Sequence, residues 1–127
     1  MKLRLQGNSV RFRLRPSEIE QIRQGRPVSE KTCFGFASDE VMSYTLTVSE
    51  TVSEPRIAFR NGNIMVRLPQ ALVQSWADSS QISIETQQHI AEDIFLNLLI
   101  EKDLDCKHPK ENGWPKEGTT LEIQSGV

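Results

Sequence analysis

Apolar and cationic residues alternate one for one through residues 2–6 and again through 9–15. Leu3, Leu5, Val10, Phe12 and Leu14 fall on one side of this pattern. Lys2, Arg4, Arg11, Arg13 and Arg15 fall on the other. A period of two marks a strand with one buried face, and the Gly7-Asn8 step between the runs reads as a tight hairpin turn. Residues 16–22 then open on Pro16, carry Glu18 and Glu20 early and place Ile19 and Ile22 three apart. That spacing predicts a short helix, ended by Gly25 and Pro27. Residues 28–36 read as a strand of imperfect alternation in which Gly35 marks a bend. Residues 37–40 are a turn, and 41–48 a strand whose Met42, Tyr44, Leu46 and Val48 share a face.

The pattern then restarts. Residues 56–60 and 64–68 are strands around a turn at Asn61-Gly62-Asn63, the strongest local hairpin signal in the chain. Residues 69–76 form a helix opening on Pro69, with Leu72, Val73 and Trp76 on one side, and residues 82–86 a strand. The run Ile94 to Ile100 admits two readings. Ile90, Ile94 and Leu98 keep a helical spacing, but the run also suits a buried strand paired back onto residues 82–87. The strand is preferred, because it completes a second copy of the order hairpin, helix, strand, strand. The tail, residues 107–127, is polar and rich in Pro and Gly, and reads as loop with a short strand at 121–123.

Pairing Gly7-Asn8 with Gly62-Asn63 sets the two halves 55 residues apart. Each half, residues 1–50 and 55–105, is a ββαββ unit too small to bury its own apolar face, so two of them sharing a core is the economical arrangement. The expected fold is a single α+β domain over residues 1–127. It is a mainly antiparallel β barrel or sandwich with two short helices, and the ββαββ unit is duplicated.

Two resemblances enter on these residues. The opening Leu-Arg-Leu-Gln-Gly-Asn-Ser-Val-Arg-Phe-Arg-Leu and the late Leu-Leu-Ile-Glu-Lys-Asp-Leu-Asp-Cys resemble an uncharacterised bacterial family of small domains, which implies no function. More locally, Gly7-Asn8-Ser9-Val10 and residues 62–84, with Val66-Arg67-Leu68-Pro69, resemble the AbrB-type swapped-hairpin fold. That likeness implies a unit that pairs with a second copy and binds DNA, as an antitoxin or transition-state regulator does. The chain departs from it in the second half, where acidic residues replace a basic face.

Composition narrows the function. The net charge of −2 hides an asymmetry: residues 1–32 carry eight Lys or Arg against Glu18, Glu20 and Glu30, and the remainder carries seven against fourteen carboxylates. A basic end of this kind suits an anionic partner, a nucleic acid or an acidic protein. Lys2, Arg4, Arg11, Arg13 and Arg15 are therefore the candidate anion- or nucleic-acid-binding residues. No apolar run approaches the length of a membrane span and no signal-peptide core is visible, so the reading is cytoplasmic, with Cys33 and Cys106 as free thiols. No nucleophile elbow, phosphate loop or zinc-protease motif is present, and no cofactor or metal is expected. Glu101, Asp103 and Asp105 alternate as a solvated acidic face would. Trp114, in the tail, is read as plugging the core. The favoured function is a non-enzymatic binding or scaffold domain. The alternatives are a DNA-binding regulator using the basic hairpin and a small enzyme centred on Cys106 and His108.

Overall fold

The computed structural model describes residues 1–104. In chain order the elements are β1 (Lys2–Gln6), β2 (Ser9–Leu14), α1 (Pro16–Arg23), β3 (Val28–Cys33) and β4 (Val41–Ser49). They continue as β5 (Arg56–Arg60), β6 (Asn63–Pro69), α2 (Gln70–Ala77), β7 (Ser83–Ala91) and β8 (Ile94–Lys102). They build two four-stranded sheets, ordered β1-β2-β8-β7 and β3-β4-β6-β5. Neither closes on itself as a barrel, and the two pack face to face as a sandwich. Each sheet takes one hairpin from the first half of the chain and one from the second, joined down the middle by a parallel pair. Phe12 of β2 is partnered with Ile100 of β8, and Leu46 of β4 with Val66 of β6. The remaining pairs are antiparallel.

The alternation read from the sequence is what this arrangement uses. Val10, Phe12 and Leu14 point inward from β2, Ile64, Val66 and Leu68 from β6, Leu46 from β4, and Leu98 and Ile100 from β8; all are buried. The run at 94–102 is a strand, pairing Ile84 with Ile100 as the sheet reading required. Two corrections apply. The strand expected over residues 28–36 stops at Cys33, because the chain bends away through Phe34-Gly35-Phe36 into a 3₁₀ turn at Ser38–Glu40. The two hairpin turns are Gly7-Asn8 and Asn61-Gly62, with Gln6 opposite Ser9 and Arg60 opposite Asn63. The spacing of like positions is therefore one residue shorter than the Gly-Asn match suggested. That one residue matters, since a single step exchanges the faces of a strand.

Both helices lie at one end of the sandwich, packed on each other. α1 starts where β2 ends: Pro16 supplies a preset first turn, and Glu18 Oε1 accepts the Arg15 backbone N–H at 2.9 Å. α2 turns Val73 and Trp76 inward. The fully buried Trp76 indole satisfies its one donor by an Nε1–H bond to the Ile82 carbonyl at 3.0 Å, and Lys102 Nζ lies 5.8 Å from the ring centre.

The sheet edges are tied across the sandwich on both sides. On one, the Met1 ammonium donates to Glu18 Oε2 and to Glu30 Oε2 of β3, each at 2.6 Å. On the other, Gln88 of β7 reaches the edge strand β5. Its amide oxygen accepts from Ile57 N–H at 2.9 Å and its amide nitrogen donates to the Ile57 carbonyl at 2.8 Å. Burial alone would raise the Glu18 pKa, but bonds from the Arg15 side chain, the Met1 ammonium and the Arg15 backbone outweigh it and hold the carboxyl below its ordinary value.

A carboxyl depressed in the folded state contributes stability that is present above its unfolded pKa and lost as pH falls through its folded pKa. Glu18→Gln should therefore lower the urea midpoint at neutral pH, and the gap to wild type should close as pH falls through the depressed folded-state pKa of Glu18. At Gly62, φ is +77° and an added Cβ would lie 2.9 Å from the Val41 carbonyl oxygen, whereas Gly7 at φ +54° meets open space. Gly62→Ala should consequently lose about 2 kcal/mol or more, against about 1 kcal/mol for Gly7→Ala, when their denaturation midpoints are compared.

Candidate functional site

The predicted cationic strip forms, but not with all five residues. In the β1–β2 hairpin Lys2 lies opposite Arg13 and Arg4 opposite Arg11, all on the outer face. Their side chains and Leu3 line a shallow concavity of about 330 Å³. Arg15 is not part of it. As the residue that caps α1, it turns to Glu18, with Nη2 3.2 Å from Oε2.

The same outer face carries the counter-charges on β8 and just beyond it. Arg13 donates through Nε and Nη2 to Glu101 Oε1 at 3.1 and 2.9 Å; Arg11 Nε stands 3.9 Å from the same oxygen, and Lys2 Nζ 3.3 Å from Asp103 Oδ2. Glu101 and Asp103, read from the sequence as a solvated acidic face, are thus half-buried and buried partners of the strip. Asp105 lies outside the described residues. Arg4 makes no hydrogen bond or ion pair to another described residue, and its cross-strand neighbour Arg11 is held only at long range. Like charges directly opposite on a sheet repel, so the uncompensated positive charge is concentrated at the Arg4–Arg11 step.

The second feature was not foreseen. The tips of all four hairpins gather at the end of the sandwich away from the helices. There Leu5, Val10, Met42, Ile57, Phe59, Ile64, Ile90 and Leu96, with Ala58 and Gln88, enclose an apolar cleft of about 380 Å³ between the sheets. Gln88 contributes the one polar side chain in this lining, and both ends of its amide are used by Ile57. Around the mouth stand Phe36, fully exposed, Phe34 (75%), Phe59 (64%), Leu5 (56%) and Ile90 (51%), with Ile94 beside them on the β7–β8 tip; Phe95, of opposite parity and against His89, is on the outer face of that tip. Seven of the nine large apolar side chains exposed among the described residues are at this one end, so the distribution is not a random scatter.

The signal for it lay in the same alternation, misassigned. Leu5 and Phe59 have inward parity but sit close to their turns, where the space between the sheets is left as an open cleft. Phe34 and Phe36 were absorbed into a strand that ends before them.

Little here resembles a catalytic centre. The exposed His89 ring bonds through Nε2 to the Glu92 carbonyl at 2.6 Å and stacks near Phe95, and Cys33 is exposed and unbridged. Among the described residues no three His, Cys, Asp or Glu side chains converge as metal ligands, and no helix is long and apolar enough to cross a membrane. Cys106, His108 and Trp114, on which the enzyme and core-plug readings rested, lie outside the described residues.

No curated protein and no solved structure matches this chain, and the AbrB-type likeness finds no support there. A model of a family of unknown function, DUF7009, matches residues 1–115, in keeping with the likeness to an uncharacterised family of small domains. The chain therefore belongs to the DUF7009 family.

Proposed function

We propose that the chain is a non-enzymatic binding domain whose working surface is the open, apolar end of the sandwich. The observation that carries this reading is the apolar cleft ringed by exposed Phe and Leu side chains at the hairpin tips. A contiguous apolar surface of this kind raises solubility and aggregation hazards unless something covers it. The rim favours a protein over a phosphate-bearing partner, because Asp39, Glu40, Glu92 and Asp93 sit on the β3–β4 and β7–β8 tips. The exposed thiol of Cys33 accords with the reducing cytoplasm expected from the sequence.

The same reading takes the two halves as copies of one ββαββ unit at a spacing of 54. Val10 and Ile64, Phe12 and Val66, Leu14 and Leu68, and Ile22 and Trp76 then become equivalent, and each of these positions is buried. The duplication would explain why the hairpin tips converge at one end.

The polar-face alternative keeps one supporting observation, the Arg4–Arg11 step in a cationic concavity, where Arg11 shares the single carboxylate of Glu101 with Arg13. It makes this face a site for a polyanion, nucleic acid before acidic protein.

Each reading has its own measurement. Apolar dye (ANS) added to dilute protein should fluoresce on binding, and Leu5→Gln with Phe59→Gln should weaken that binding about tenfold or more while the circular dichroism is kept. Dye binding that ignores this double substitution would remove the open end as the working surface. For the second reading, duplex DNA should bind at low salt. The slope of log K against log salt should fall by about 2 in Arg4→Ala with Arg11→Ala, since each phosphate contact accounts for about 0.9. No binding at low salt would dispose of it.

A further inference from the structure

We infer that the occupant of the open end is a second copy of this chain, docked about a twofold axis. This rests on the reading of that end as a binding surface. Three observations on the page favour a copy over an unrelated partner.

The first is size. With a buried aromatic side chain contributing on the order of 200 Å², Phe34, Phe36 and Phe59 together with the half-exposed Leu5, Ile90 and Ile94 offer on the order of 800 Å². That is the share each partner contributes to a standard stable interface. It also exceeds the largest apolar patch usual on a lone soluble protein, about 300–600 Å².

The second is that knob and hole occur on the same face, which a twofold interface requires because each copy presents the same patch. The knob is Phe36, fully exposed, and the hole is the cleft of about 380 Å³ lined by Leu5, Met42 and Phe59, roomy for a phenyl group. The knob is preorganised. Its loop is closed by Phe34 N–H to the Glu40 carbonyl at 2.7 Å and Glu40 N–H to the Ala37 carbonyl at 2.9 Å. The Glu40 carboxylate also accepts from Ala37 N–H at 3.0 Å, and Gly35 leaves it room where a Cβ would displace it. The hydrogen-bonded loop backbone loses little freedom when Phe36 docks, so the ordering cost is confined to the side chain's own rotamers.

The third is charge. Arg60, exposed beside its turn and without an ion pair to a described residue, shares the rim with Asp39, Glu40, Glu92 and Asp93. A twofold arrangement sets each Arg60 against the carboxylates of the other copy, which is the pairing that offsets their excess.

Sedimentation equilibrium of the full chain should show a monomer–dimer equilibrium within the micromolar range. Phe36→Ser should weaken the dimer about thirtyfold or more, as loss of a central anchor does. It should leave the melting temperature of the dilute monomer unchanged, because Phe36 touches solvent only. With Cys33→Ser and Cys106→Ser in the background, mixing chains carrying Phe36→Cys with chains carrying Phe59→Cys should give mixed disulfide dimers under mild oxidation. A dimer indifferent to Phe36→Ser would use another face and overturn the inference. A chain that stays monomeric throughout that range but binds ANS at the open end would also overturn it, while leaving the binding-domain reading intact. A monomer without dye binding would end both.

Discussion

The parallel pairing of β2 with β8 and of β4 with β6 is the constraint on which the rest of this structure depends. It makes each sheet a composite of the two halves of the chain: Phe12 finds its neighbour at Ile100, and Leu46 at Val66. A two-stranded hairpin is at best marginal alone in water. Here each hairpin becomes half of a four-stranded sheet through a single line of backbone bonds, and the inward faces of the two sheets then bury each other. The edge ties made by Met1 with Glu30 and by Gln88 with Ile57 operate only once that pairing has set the sheets face to face.

The polarity of the molecule follows from the same constraint. The central strands β2, β4, β6 and β8 bring both helices to one end, where α1 and α2 close the core with Ile22 and Trp76. The hairpin turns are left at the other end, where no helix among the described residues caps them. At this end the two sheets leave a cleft between them, which is why Leu5, Phe59 and Ile90 are exposed although their parity is that of the core. The apolar end is thus a consequence of topology, and its rim of exposed aromatic side chains is what the proposed docking would use.

Much of the fold was legible in the sequence because period-two alternation and hairpin turns are local signals. The strands around Gly7-Asn8 and Asn61-Gly62, the two proline-opened helices and the core side chains Phe12, Leu14, Leu46 and Trp76 all follow from neighbours within a few residues. The choice of a strand for residues 94–102 needed the longer-range argument that the second half should complete the same order as the first. What local pattern cannot carry is which strand lies beside which, and so the parallel centre of each sheet was not readable. The same limit hid the candidate site. Whether Leu5 is core or rim depends on where the opposite sheet ends, and whether Arg13 is available depends on Glu101, which only the β2–β8 register brings alongside it. Lys2, Arg4, Arg11 and Arg13 share the outer face that the alternation predicts, whereas Arg15 turns to Glu18. How much of it is neutralised was a tertiary property.

Native-state hydrogen exchange tests the central claim most directly. If neither half can form a sheet without the other, the slowest amides of β2, β4, β6 and β8 should all exchange with one common free energy, equal to that of global unfolding by denaturant. If the protected amides of residues 1–50 instead open at a free energy distinct from those of residues 55–104, the halves are independent units and the composite-sheet account is wrong.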